Sequence, residues 1–286
     1  KRAEQNEVSK KLPGIANPDL KTAMLSEMKI LKEALVKEEE QIKEVMKKWQ
    51  ILMLAVPNIP DMSVPDGDDD SANKEYSVWG EIPKFDFTPK DHVELMENLG
   101  MLDLEAGTRI AGFRGYILKD DGATLQYALW QFVMEYFREN KKDYSPMIVP
   151  SLVRKETLLG TGYLPQGEDD LYKTQDGDYL AGTAEVGAMS YFADKVLQEN
   201  ELPKKTIAFS PAFRREAGSH SKDVKGILRV HEFTKFEQVI LCEASHETSV
   251  KHHEELRENA EELLRALKLP YQVVVNCGGD LGLGQV

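Results

Sequence analysis

The chain has 286 residues, with 36 Lys and Arg against 49 Asp and Glu, and is 41% apolar and 30% charged. That balance suits a soluble globular chain long enough for a sizeable core and excludes a disordered one. Two distant cysteines, Cys242 and Cys277, without a CxxC pair, exclude a disulfide scaffold, and the longest apolar run, residues 51–57, is far short of the roughly 20 a membrane helix needs.

The absence of a visible secretory signal and the unpaired cysteines point to a reducing, cytoplasmic setting. A net charge of −13 argues against nucleic-acid binding spread over the whole surface, although a total hides its distribution. Residues 1–50 carry 11 Lys and Arg against 9 Asp and Glu, and the rest 25 against 40. The acidity therefore belongs to the body of the chain.

In chain order, the first 56 residues stand apart. Apolar residues at Met24, Met28, Leu31, Leu35, Ile42, Val45, Trp49 and Leu52 follow an a/d heptad seam, with Glu38 at the skipped position. Asn17 can cap the orphan amides and Pro18 suits the first turn, so a helix is predicted from Pro18 to about Leu54. At ~1.5 Å per residue it would be about 55 Å long. Lys1 to Lys11 reads as the end of a preceding helix, and the turn from Leu12 to Pro18 would fold the two into an antiparallel hairpin. The plainer alternative is one helix lying on the globular core. Lys1 in place of Met, and a stop at Val286 just after a glycine-rich turn, suggest a fragment cut at both ends.

Residues 56–72 hold three prolines and an acidic cluster (Asp66, Asp68, Asp69, Asp70) and read as a linker or surface loop. Beyond it, a helix is expected over 125–137, strands over 144–149, 207–210 and 236–242, a helix over 250–267 and a strand over 271–275. Long connections between these strands favour an α+β fold with a largely antiparallel sheet over a wound βαβ fold.

Two segments carry candidate chemistry. Ala212 to Glu237 is an open hairpin whose residues 213–232 include Arg214, Arg215, Lys222, Lys225 and Arg229 against three acids. A long cationic loop suits a phosphoanhydride, because a guanidinium fork can grip two oxygens at once, and Phe233 offers a face for a base. A solvated charged hairpin is the plain alternative. In Tyr179 to Val186, Thr183 and Glu185 alternate out of an apolar run, a weak signal alone.

Together these segments resemble the seryl-tRNA synthetases, a branch of the class II aminoacyl-tRNA synthetases. The resemblance runs over essentially the whole chain in order. Residues 2–9 look like the end of the first arm helix, Pro57 to Pro60 like the exit from the second, and 76–80 and 85–92 like the approach to the catalytic domain. Gly122 to Pro150 resembles motif 1, Leu159 to Pro165 a segment peculiar to the family, Thr183 to Glu185 its serine element, and Phe213 to Phe233 motif 2. Departures are Gly187 where the family has Pro, Arg215 where it has a small residue, and Glu232 where it has Gln. Motif 3 would follow Val286.

The resemblance implies a class II antiparallel sheet flanked by helices, with a tRNA-binding coiled-coil arm (1–56), a linker (57–94) and a catalytic domain (95–286). It implies serine-tRNA ligation with ATP and Mg2+, tRNA(Ser) as partner, and a homodimer through motif 1. On matched positions Arg214 would bridge the serine carboxylate and the α-phosphate. Glu216 would hold the adenine amino group, Phe233 would stack on the ring and Arg229 would face the triphosphate. Thr183, Glu185 and Glu237 would surround serine, and His220, Lys222 and Lys225 would touch the tRNA acceptor end. The alternatives are an incomplete fragment acting as a tRNA-binding or interaction module, and a ligase loading a carrier protein, which the long arm disfavours. His246, His252 and His253 are expected to be solvated rather than metal ligands. Gly278 to Gly282 lacks the GKS and following helix of a phosphate loop.

Overall fold

The computed structural model describes the chain apart from Ile15, residues 218–224 and Leu283, and only the backbone of Glu4. Helix α1 (Arg2–Lys11) and the 3-10 turn Leu12–Gly14 lead to α2 (Pro18–Leu54). Asn17 Oδ1 accepts from the N–H groups of Asp19 (3.0 Å) and Leu20 (3.4 Å), and Pro18 fills a position where a missing N–H costs nothing. Lys1 pairs with Glu38, and Arg2 with Glu39 at 2.6 Å, so α1 and α2 run antiparallel. Val8 shares a groove with Met28, Leu31 and Ala34, whereas the later seam residues Ile42, Val45, Trp49 and Leu52 are exposed. Residues 1–58 form one compact unit and 59–286 a second.

The second unit runs β1 (Lys74–Trp79), α3 (His92–Asn98), β2 (Leu102–Asp103), α4 (Leu104–Ala111), β3 (Ile117–Leu118), α5 (Asp121–Asn140) and β4 (Tyr144–Ile148). It continues β5 (Leu152–Val153), α6 (Lys155–Gly160), β6 (Tyr172–Lys173), β7 (Tyr179–Leu180), α7 (Glu185–Ser190), β8 (Lys204–Phe213) and β9 (Glu232–Leu241). Helix α8 (His246–Ala266) and β10 (Tyr271–Val275) follow. The architecture is α+β, with antiparallel pairing throughout the described strands except between β4 and β8. That parallel pair needs a long crossover, and residues 149–203, carrying the β5-β7-β6 sheet, supply it.

Strand β8 is central, between β4 and β9. It is longer than the apolar run alone predicts, because Lys204 and Lys205 begin it and Pro211 lies within it. Pro211 is tolerated because it lies past the last residue paired with β4, and its nitrogen faces the same side as that of Phe213, away from β9. On one face of the sheet, Ala184, Ala188, Ala208, Val149 and Val239 form a small-residue core. A Cβ on Gly187 would stand 2.6 Å from the Val149 Cβ, so the departure at this position matches a backbone packed directly on Val149.

Helix α8 is clamped to the sheet by polar groups. Asn259, fully buried, donates to Tyr144 OH (3.1 Å) and Gln238 Oε1 (2.8 Å). Glu255 accepts from Lys205 Nζ at 2.7 and 2.9 Å, from Tyr144 OH at 3.1 Å, and faces His252 Nδ1 at 3.0 Å. The expectation of solvated histidines therefore fails for His252, whose side chain is only 13% exposed because Glu255 holds it one turn away. His246 and His253 are exposed, and among the described residues no three His, Cys, Asp or Glu side chains gather as a metal site. The 3-10 turn Gly278–Asp280 packs on the loop before β1, where a Cβ at Gly279 would sit 2.2 Å from Asp68 O. Gly279 thus serves close packing, whereas a Cβ at Gly278 would meet open space.

Candidate active site

Strand alternation decides which side chains meet. The β8–β9 register sets Ala212 opposite Phe233, Ser210 opposite Lys235 and Ala208 opposite Glu237. Phe233, Lys235 and Glu237 therefore share one face of β9, over small buried residues of β8. The segment after β7 crosses that face: the Ala181 N–H donates to Ser151 O (2.7 Å), and its carbonyl accepts from the Phe213 N–H (3.0 Å). This fastens residues 181–184 to β8 and brings Thr183 over β9.

Thr183, 1% exposed, donates from Oγ1 to Glu237 Oε2 at 2.9 Å and accepts from Lys235 Nζ at 3.0 Å. Lys235 Nζ is also 2.5 Å from Glu237 Oε2. Glu185, at the start of α7, accepts from Tyr163 OH at 2.8 Å. Burial pushes the Tyr163 hydroxyl well above its ordinary range, and the charges of Glu185 and Glu237 add to this while Arg214 opposes it. Glu185, Glu237 and Arg214 thus lie within electrostatic reach of one hydroxyl.

Arg214 leaves the end of β8. Its N–H donates to His231 O (3.0 Å), the His231 ring faces Arg214 O (3.0 Å), and its Nε donates to Gly182 O (3.2 Å). Its guanidinium carbon stands 5.4 Å from the Phe233 ring centroid. Glu216 follows in a left-handed conformation (φ +55°), fixed by N–H bonds from Arg215 to Asp170 O (2.9 Å) and from Ala217 to Asp170 Oδ1 (3.2 Å). Its Oε2 lies 3.2 Å from Arg229 Nη1 and 3.5 Å from Arg114 Nη1.

The structure thus brings Thr183, Glu185, Arg214, Phe233 and Glu237 to one neighbourhood, and couples Glu216 to Arg229. Lys225 stands elsewhere, ion-paired to Asp91, whose hydrogen bond raises the ammonium above its ordinary value. His220 and Lys222 lie outside the described residues. Sequence reasoning missed Lys235, which the alternation of Phe233, Lys235 and Glu237 could have shown. It also missed Arg114, a hundred residues upstream in the turn after α4, for which the sequence carries no local signal. Chemically, the arrangement sets hydrogen-bond acceptors for an ammonium or hydroxyl beside a guanidinium for a carboxylate or phosphate, with an aromatic face for a base.

Residues 171–285 match the tRNA synthetase class II core domain (G, H, P, S and T). The chain is 43% identical to a serine-tRNA ligase of Deinococcus radiodurans over 286 residues, covering 100% of this chain and 67% of the relative. It is 44% identical to that of Hydrogenobaculum sp. over 283 residues, covering 98% and 66%. Among solved structures, it superposes on seryl-tRNA synthetase from Pyrococcus horikoshii complexed with ATP at a TM-score of 0.87 and 32% identity, covering 99% of this chain and 67% of the other. It superposes on the cytoplasmic serine-tRNA ligase of Naegleria fowleri in complex with AMP at 0.82 and 30% identity, covering 98% and 65%. The chain spans about two thirds of the length of these relatives.

Proposed function

Because the chain belongs to the serine-tRNA ligase family, we propose that it activates serine with ATP and transfers the seryl group to the 3′ end of tRNA(Ser). In the first step a serine carboxylate oxygen attacks the α-phosphorus, and the bond to the β-phosphate oxygen breaks, giving seryl-adenylate and pyrophosphate. In the second, a terminal ribose hydroxyl oxygen attacks the acyl carbon, the acyl carbon–phosphate oxygen bond breaks to release AMP, and the hydroxyl proton passes to the departing phosphate or to solvent. A carboxylate is already anionic, so the site needs no protein nucleophile. It must hold two anions together and stabilise the charge that builds on the phosphoryl oxygens.

The observation that supports this best is the pairing of Thr183 with Glu237 beside Arg214. Arg214 takes the bridging role between serine carboxylate and α-phosphate, with Phe233 stacked on adenine, Glu216 on its amino group and Arg229 toward the triphosphate. Thr183, Glu185 and Glu237 accept from the serine ammonium and hydroxyl, and Lys235 steadies Glu237. Mg2+ would enter with the nucleotide and offset the negative charge of its phosphates. The carboxylates Glu185, Glu216 and Glu237 are engaged by Tyr163, Arg229 and Thr183, which suits an ion that would be held chiefly by the nucleotide and water rather than by the protein.

A homodimer is supported by α5 and β4, where Tyr127 and Ile148 are exposed beside an apolar groove that Trp130 and Phe209 also line. The two free cysteines accord with a cytoplasmic setting. The arm, residues 1–56, would meet the tRNA body through backbone and shape, and Lys225, with His220 and Lys222, its acceptor end. ATP–pyrophosphate exchange by the protein at its natural length, with serine, alanine and threonine compared, tests the proposal. Exchange with serine alone is expected, and a folded protein that exchanges with no amino acid overturns it.

A further inference from the structure

Glu216 is met by two guanidinium groups that differ in kind. The Arg229 side chain is 39% exposed, whereas the Arg114 side chain is 5% exposed and comes from the turn after α4 in a left-handed conformation (φ +65°). Its guanidinium also lies 5.4 Å from the Phe113 ring centroid. Both arginines reach the same oxygen, Oε2.

We infer that Arg114 is a positioning residue for nucleotide recognition. It is the fixed counterion that keeps the Glu216 carboxylate in place toward the adenine amino group, while Arg229 is the exchangeable counterion that moves to the triphosphate. This rests on the reading of Glu216 as the adenine contact. Holding a largely buried carboxylate without a cation beside it is costly, and a guanidinium that stays in place keeps one there when Arg229 moves. Arg229 Nη1 donates to Oε2 at 3.2 Å and Arg114 Nη1 stands at ion-pair distance from it, and a carboxylate has about four lone-pair positions with which to accept a donor from the base. Two non-glycine residues in left-handed backbone, Arg114 and Glu216, facing each other across the ion pair are what a site that fixes one carboxylate orientation requires.

The test compares ATP with purine riboside triphosphate, which lacks the 6-amino group, by calorimetric binding and by serine-dependent exchange. The unmodified protein at its natural length is expected to favour ATP, and Arg114→Met should lower that preference at least tenfold while leaving the KM for serine nearly unchanged. Arg114→Lys, which keeps the charge without the fork, should recover part of it and serves where the methionine variant does not fold. In a Glu216→Gln background the lysine substitution should have no further effect on the preference. A purely structural Arg114 would weaken both nucleotides equally and leave the preference intact, which overturns the inference. If the unmodified protein binds neither nucleotide, the proposed function itself fails, a result distinct from the first.

Discussion

Arg214 is placed by its own backbone and by the loop opposite, since its N–H, its carbonyl and its Nε are all engaged before any ligand arrives. In the proposed reaction it is therefore preorganised, and its contribution grows as charge develops on the α-phosphate. Arg214→Ala should lower serine-dependent ATP–pyrophosphate exchange by about 10²–10³ or more. The fold should survive, because the bond lost to Gly182 O is worth only about 1 kcal/mol net; exchange kinetics together with a thermal melt check both halves. Glu237 belongs to selectivity rather than to charge. Alanine leaves buried acceptors unpaired where serine satisfies them, and such sites discriminate far more sharply than pocket volume. Glu237→Gln should therefore reduce the serine-over-alanine ratio of kcat/KM by about tenfold or more while leaving the melting temperature nearly unchanged, as read from exchange with each amino acid and a thermal melt. Which of these side chains meet was partly legible from residue order: period-two alternation puts Phe233 and Glu237 on one strand face, and Thr183 follows an apolar run. The partnership of Arg114 with Glu216 was not, because a tertiary contact between two turns leaves no period in the sequence.

At the scale of elements, the site depends on a hairpin held by α8 from behind. Burial alone would raise the Glu255 carboxyl, but hydrogen bonds from Lys205 and then His252 outweigh it and bring the group below its ordinary value of 4.5. Asp143 is likewise held down, first by its hydrogen bond to Lys205. Carboxylates depressed in the folded state stabilise it fully above their ordinary values and lose that contribution as pH falls through the depressed ones. The attachment of α8 should thus weaken in acid. Burial opposes the charge of Lys205, yet Asp143 and Glu255 together raise it, so its own contribution is lost only as pH rises through that raised value. Lys205→Met leaves Glu255 half-buried without its cation, and the acid-unfolding midpoint followed by circular dichroism should move to higher pH. An unchanged midpoint would show that this cluster does not govern acid stability. Asn259→Ala should cost about 2–3 kcal/mol in urea unfolding, since it leaves the buried Tyr144 and Gln238 groups short of a donor. Helix α2, with its Asn17 cap, and the apolar period of α5 were legible from sequence, as was β10, whereas α5 starts at Asp121 without a side-chain cap, ahead of that period. Strand ends were not: β8 begins with two lysines and contains a proline, so its length is set by pairing with β4 and β9 rather than by its own composition.

For the whole molecule, the division of charge matters more than the total. Residues 1–50 are slightly basic by composition and the remainder strongly acidic, so a polyanionic tRNA is repelled by most of the body. Under the proposed function, tRNA binding would therefore fall to the arm and the cationic hairpin. The chain divides between Asn58 and Ile59 into two compact units, and among the described residues the buried apolar clusters lie in the second. Adenylate formation should accordingly be separable from tRNA capture. A variant of the natural-length protein lacking the arm should keep serine-dependent pyrophosphate exchange within a few-fold of normal while its KM for tRNA(Ser) in aminoacylation rises by about tenfold or more, since each phosphate contact removed lowers affinity and flattens the dependence on salt. Aminoacylation rates measured across salt concentrations, with exchange as the control, separate the outcomes. Equal losses in both reactions would mean that the arm supports the fold of the catalytic unit. An unchanged KM for tRNA with an unchanged salt slope would assign tRNA capture to the body despite its charge.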